Sequence, residues 1–248
     1  MKTVTKMNII RLSEDDAYYP SVLSAYLGEH APTVIAALGN LDLLQGKMLA
    51  LFCSIRCPGH LILQTHDLAQ TLREVDMTVI SGFHSPVERE CLTVLLRSST
   101  PLVMCPARSL DRMRIPGAYR APLEQGRLLL LSPFVEKPRR PTVQTALYRN
   151  RFVAALADQL FVAYAEQGSK TDQFCREVLA WGKPLYTLES AANAHLTALG
   201  AKPVRPDDVA EWITRCLSGI PRTGFSCFAK ETHLGGSRQA QVGADIEW

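Results

Sequence analysis

No stretch of this 248-residue chain is apolar for long enough to cross a bilayer. Its hydrophobic runs, such as residues 48–53 and 128–131, fall far short of the roughly 18 to 20 residues that a span needs. Charge of one sign is scarce as well: 27 Lys and Arg against 24 Asp and Glu leave a formal +3, which excludes a polycation and an acidic disordered chain. Any anion binding must therefore come from local clustering. The opening MKTVTKMNII has no apolar core followed by a small-residue cleavage site, so a secretory leader is not expected and the reading is cytoplasmic. A disulfide framework is lacking too, because the seven cysteines are odd in number and widely spread. Cys53, Cys57 and His60 make a C-x3-C-x2-H cluster with no second ligand pair at zinc spacing, so free thiols are expected rather than a metal. There is no internal repeat, no low-complexity segment and no Walker G-x-x-x-x-G-K-[ST] loop.

What the chain does have is 47% hydrophobic residues over a length that suits one full core, or one core with a small appendage. Residues 1–46 read as a helical and irregular lead-in, with Thr33 placed to cap a short helix over Val34, Ile35 and Leu38. From residue 47 short apolar runs alternate with longer amphipathic ones. Strands are expected at 48–53, 77–80, 101–105, 127–131, 160–163 and 184–188, and helices at 61–74, 86–97, 142–157, 169–181 and 191–199. The Arg- and Pro-rich stretch 106–126 reads as loops or short turns, and 207–217 as a last helix. The polar, Gly-rich remainder from 218 to 248 is expected to be poorly packed. Alternating short strands and helices imply an α/β, Rossmann-like, doubly wound and mostly parallel sheet in three layers over 47–204, followed by a C-terminal segment 205–248.

In such sheets ligands bind beyond the carboxyl ends of the strands, so the strand ends are where chemistry is sought. After the first core strand, Ser54 and Arg56 precede a helix and suit an anion, the hydroxyl and free amides donating while Arg supplies charge. After the next, Ser81 and Gly82 let the backbone turn or approach a ligand, His84 lies in the loop and Glu88 falls in the first helical turn. After residue 163 come Gly168, Ser169, Lys170 and Thr171, hydroxyls at a helix start that can hold a phosphate or simply cap the helix. Between residues 108 and 140 basic residues outnumber acidic ones, mostly as Arg, and Arg149 and Arg151 follow.

Taken in order, these segments resemble the DNA-processing protein A (DprA, or Smf) family, within the Rossmann-like superfamily that includes the LOG proteins. The run from Arg149, Asn150 and Arg151 through Phe152, Val153, Ala154 and Leu156 to Asp158 is similar to the family's RNR-led motif. Gly168, Ser169 and Thr171 fall at its small-hydroxyl turn, Gly182, Lys183 and Asn193 resemble its closing motif, and Tyr19, Pro20, Gly39 and Asn40 its opening one. The chain departs from the family where Cys53 replaces the glycine of G-S-R, Ile55 separates Ser54 from Arg56, and Leu92 stands where His is expected.

The resemblance implies binding of single-stranded DNA, dimerisation through the core and assistance to the RecA recombinase in uptake or recombination. It nominates Ser54, Arg56, Ser81, Gly82, Arg149, Arg151, Gly168, Ser169 and Thr171 for phosphate contact. Lys170 is added from the residues alone. Such a site needs charge and donors, and no catalytic residue, cofactor or metal is expected. Two alternatives use the same pocket: a nucleotide sensor, and a LOG-type nucleoside monophosphate phosphoribohydrolase. Against the latter, Phe174 occupies the place of the loop glutamate, which leaves Glu88 or His84 to substitute.

Overall fold

The structure is a computed structural model and describes residues 8–218. In chain order the elements are β1 (Ile10–Ser13), α1 (Val22–Leu27), β2 (Val34–Gly39), β3 (Met48–Phe52), α2 (Gly59–Leu72), β4 (Thr78–Ser81), α3 (Pro86–Leu95), β5 (Leu102–Met104) and α4 (Gly117–Glu124). There follow β6 (Leu128–Ser132), α5 (Val143–Leu156), β7 (Gln159–Val162), α6 (Lys170–Ala180), β8 (Leu185–Leu188), α7 (Ala194–Ala198), β9 (Lys202–Val204) and α8 (Val209–Ser218). The nine strands form one sheet in the order β1-β2-β6-β5-β4-β3-β7-β8-β9. The seven from β6 to β9 pair in parallel, whereas β1 and β2 run antiparallel at one edge.

The continuous apolar runs become strands because both faces of the sheet are covered. Along β3, Met48, Ala50 and Phe52 enter one core while Leu49 and Leu51 enter the other. In β6 the same alternation sends Leu128 and Leu130 to one side, and Leu129 and Leu131 to the other. Residues of α2, α3, α4 and α8 complete the core that holds Leu49 and Leu51, and those of α1, α5, α6 and α7 the core that holds Met48 and Phe52. The result is the α/β, doubly wound, three-layer architecture that the alternation of elements implies.

Three segments correct the expectations. Val34 to Gly39 is not a helix capped by Thr33 but a strand, and with β1 it extends the same sheet as the parallel strands. Six apolar residues are too few to show a period, and burial on both faces decides the matter: Ile35 and Ala37 pack on one side, Ala36 and Leu38 on the other. The strand closes at Gly39, whose φ of +121° and whose position, with a Cβ only 2.3 Å from the Leu128 carbonyl oxygen, admit glycine alone. Within 106–126 the chain forms α4, in which Tyr119 and Leu123, one turn apart, are buried despite the prolines around them. Residues 191–199 split into a 3-10 turn and α7. Asn193, donating to the carbonyls of Ala163 and Leu188, pins the junction. The expected tail lies outside the described residues except for Ser218, the last residue of α8.

Candidate functional site

From β3 the chain winds toward β6 on one side, while β7, β8 and β9 continue on the other. The topological switch therefore lies between β3 and β7, and a crevice is expected at their carboxyl ends. The loop after β3 is tied across this point. Ser54 N–H donates to the Tyr164 carbonyl at 2.8 Å, and Ser54 Oγ accepts from Glu166 N–H at 3.1 Å. Ser54 is thus buried and occupied in holding two loops together. Arg56, two residues on, is exposed just before the start of α2, beside Ile55, which is 68% exposed.

The loop after β4 is built around a buried carboxylate. Glu88, 6% exposed, accepts from Cys53 N–H at 2.9 Å, His84 N–H at 2.7 Å and Ser85 N–H at 3.3 Å, and it closes a capping box with Ser85. It therefore ties the end of β3 to the start of α3, a structural duty that composition could not reveal. Ser81 Oγ is likewise engaged, donating to the Leu51 carbonyl and accepting from Phe83 N–H. Gly82 is required by what covers it: a Cβ there would lie 1.4 Å from the Nη1 of Arg149. Arg149 is 3% exposed, with Nη1 donating to the Cys105 carbonyl at 2.7 Å and Nε to Asn150 at 2.8 Å. Burial lowers its pKa, while the nearby Glu88 carboxylate acts in the opposite direction. The Arg149 side chain thus lies over the ends of β4 and β5 as a buried brace beneath the cleft edge.

At the end of β7, Gly168 adopts a φ of +75° and leads into α6. Ser169 caps that helix by accepting from Asp172 N–H, and the buried Asp172 carboxylate accepts from Gly168 N–H at 3.0 Å. Gly168 and Ser169 are therefore spent on the turn itself, while Lys170 is exposed and Thr171 half-buried at the helix start.

Of the ten residues singled out by sequence, nine gather at the carboxyl ends of β3, β4 and β7. Arg151 does not: it lies exposed on α5 and pairs with Glu177 of α6 at 2.7 Å. The basic stretch divides by topology. Arg112 and Arg114 follow β5, and Lys137, Arg139 and Arg140 follow β6, all exposed at the same sheet edge as Arg56 and Lys170. The two loops are joined by Ser109, whose N–H donates to the Pro138 carbonyl and whose hydroxyl donates to that of Val135. Arg127 instead precedes β6 at the opposite edge, bonded to the Leu96 carbonyl and Gln125, and Arg120 is paired with Glu124 on α4. Sequence grouped these arginines by proximity along the chain, and only strand direction separates them.

The thiol cluster holds no metal-like group: among the described residues no three His, Cys, Asp or Glu side chains gather at ligating distance. His60 is directed instead to Ser190, 3.2 Å away. The neighbouring Cys57 thiol, with burial, raises the Cys53 pKa, while the Cys53 thiol lowers that of Cys57 against the opposing effect of burial; Cys57 Sγ donates to the Pro58 carbonyl at 3.7 Å. Phe174, in the place where a LOG-type site has its glutamate, packs edge-on against Phe52 at 4.9 Å between centroids.

With this geometry established, comparison with known proteins settles the family. The family model for DNA recombination-mediator protein A matches residues 10–214. The chain belongs to that family. Among solved structures it is similar to DNA processing protein A (DprA) of Streptococcus pneumoniae, at 23% identity and a TM-score of 0.67 over 81% of this chain and 73% of that one. It is similar too to the DNA processing protein A of Helicobacter pylori, a protein with its own single-stranded DNA binding mode, at 21% identity and a TM-score of 0.68 over 85% and 96%. No curated protein sequence matches. At these identities the two structures confirm the shared fold, and the family model carries the assignment. None of the eight helices described is long and apolar enough to cross a membrane.

Proposed function

We propose that this protein binds single-stranded DNA along the carboxyl edge of its sheet and acts in DNA processing without cleaving its ligand. The observation that carries this reading is the placement of exposed cations, Arg56, Arg112, Arg114, Lys137, Arg139, Arg140 and Lys170, in loops that all leave the same ends of the strands. A free nucleotide would need one such loop, whereas an extended backbone uses a track of them. This spread favours DNA over the nucleotide-sensor reading. The hydrolase reading lacks a free carboxylate in its expected place, since Phe174 is packed in the core and Glu88 is held by three backbone amides.

Ser54, Ser81, Gly82, Gly168 and Ser169 shape the loops, Arg149 braces them, and Arg56, Lys170 and Thr171 face the ligand. Two copies would pair through the Rossmann-like core, and delivery of RecA to the bound strand would follow in the cytoplasm. The test is fluorescence anisotropy with labelled single-stranded and duplex oligonucleotides across a salt series. Tighter, salt-dependent binding of the single strand that Arg56→Ala weakens is the expected result. Saturable binding of a mononucleotide with no DNA binding would overturn the reading.

A further inference from the structure

Six large apolar side chains are exposed among the described residues, and four of them accompany the cations of the carboxyl edge. Ile55 precedes Arg56 in the loop after β3, Ile62 and Leu63 lie near the start of α2, and Val143 opens α5 just beyond Arg139 and Arg140. Ile55, 68% exposed, and Leu63, 69% exposed, are the most open of the six. Aliphatic side chains scattered singly over a surface need no explanation, but this concentration along one edge does. The start of α2 sets Leu63 toward the loop of Arg56. Leu61, Thr65, Leu68, Ala69 and Leu72 form the buried face of the helix, which leaves Leu63 on the opposite side. It lies only about 6 Å along the axis from Gly59, the first helical residue, and a helical side chain leans toward the amino end over the preceding turn. Leu63 therefore overhangs Gly59, where an added Cβ would meet no heavy atom within 4 Å. An open step of backbone is left between Leu63 and the loop of Ile55 and Arg56, and His60 closes its β8 side, 3.2 Å from the hydroxyl of Ser190. Residues 54–66 include no acidic side chain.

We propose that Ile55, Ile62 and Leu63 form an apolar contact surface for the unpaired bases of a strand whose phosphate is held by Arg56, and that this surface selects single strands over duplex. A duplex keeps its base faces inside the stack and presents phosphates on its outside. Arg56 therefore meets both forms, whereas the aliphatic side chains meet base faces only where a strand is unpaired. Leucine and isoleucine suit that contact, since both act as wedges against base steps in other nucleic-acid complexes. Val143 repeats the pairing of an apolar side chain with cations beside Arg139 and Arg140. Charge favours a polyanion over a second copy of this chain as the occupant. A two-fold contact here would present the same residues from both sides and bring two Arg56 guanidinium groups together, with no carboxylate in 54–66 to offset them.

The proposal rests on the single-strand binding proposed above and is tested separately from it. The full-length protein is titrated, with anisotropy as the readout, against a labelled thymidine strand of about 12 nucleotides, an abasic strand with the same phosphates, and a duplex of the same length. Wild type is expected to bind the thymidine strand more tightly than the abasic one. The Ile55→Ala/Leu63→Ala double variant is expected to bind the thymidine strand about tenfold more weakly, the order for two aliphatic side chains losing contact, with abasic and duplex binding and the salt slope unchanged. Its urea midpoint should match that of wild type, because both side chains are exposed. Ile10→Ala, an exposed apolar residue at the start of β1, should change none of the three affinities. Thymidine-strand binding by the double variant equal to wild type overturns the proposal, as does an equal loss on the thymidine and abasic strands. A change of oligomeric state in sedimentation, with the ratio of thymidine to abasic affinity unaltered, assigns the surface to a second copy and overturns it as well. No binding of any of the three by wild type overturns the function proposed above, and with it the occupant named here.

Discussion

At the scale of single residues, the arginines of this protein divide into braces and contacts, and burial separates the two. Arg149 lies in the most specific sequence motif, yet it is 3% exposed and packs on Gly82 with its Nη1 on the Cys105 carbonyl. Gly82→Ala would set a methyl against that guanidinium, which cannot retreat without abandoning its acceptor. A loss of about 2 to 4 kcal/mol in a urea titration is expected. Arg149→Ala should destabilise by a similar amount, about 3 kcal/mol, because it leaves a buried carbonyl unpaired and a cavity above Gly82. An Arg149→Ala protein as stable as wild type would show that its charge serves a ligand rather than the fold. Arg56→Ala is the counterpart. An exposed side chain with no partner in the described structure should leave the urea midpoint within about 0.5 kcal/mol of wild type while weakening DNA binding.

Among elements, α5 carries most of the run from Arg149 to Asp158 and depends on a residue well beyond it in the chain. Its carboxyl end is closed by Lys183, buried at 6% exposure. The ammonium donates to the carbonyls of Ala154 and Ala155 at 2.7 Å and Ala157 at 2.5 Å, and lies 4.1 Å from the centre of the Tyr26 ring. A cation on the last carbonyls of a helix is favoured by the helix dipole as well as by the hydrogen bonds. Lys183→Met keeps the aliphatic stem and removes the donors, so it should cost about 2 to 4 kcal/mol, with amide hydrogen exchange rising first over residues 153–157. Uniform exchange across the sheet would instead mean that the lysine supports the whole fold.

The parallel strands β3 to β8 were legible because their apolar runs are short and regularly spaced by amphipathic helices. Strands β1 and β2 were not, since a six-residue run such as Val34–Gly39 carries no period and acquires its state from β1 and β6 on either side of it. The strand-end residues were legible as a group because a doubly wound sheet fixes where loops emerge. Their individual duties were not: the engagement of Ser54 with Glu166, or of Gly168 with Asp172, depends on partners far apart in sequence or folded back within a turn.

For the whole molecule, a formal charge of +3 says little, and the direction of the strands says more. Arg139 and Arg140 leave the carboxyl end of β6, whereas Arg127 enters its opposite end, only a dozen residues earlier in the sequence. If a single strand lies along the carboxyl edge, each cation on that edge neutralises a phosphate and releases counterions, and the logarithm of affinity falls with the logarithm of salt by about 0.7 per contact. Arg56→Ala and Arg139→Ala should each therefore flatten the salt dependence by about 0.7, and the double variant by about 1.4. Arg151→Ala, whose side chain is paired with Glu177, and Arg127→Ala at the far edge should leave the slope unchanged. Equal flattening by Arg127→Ala and Arg139→Ala would mean that DNA is held by the general positive potential of the surface rather than by the strand-end track. Flattening by Arg127→Ala alone would move the interface to the opposite edge of the sheet.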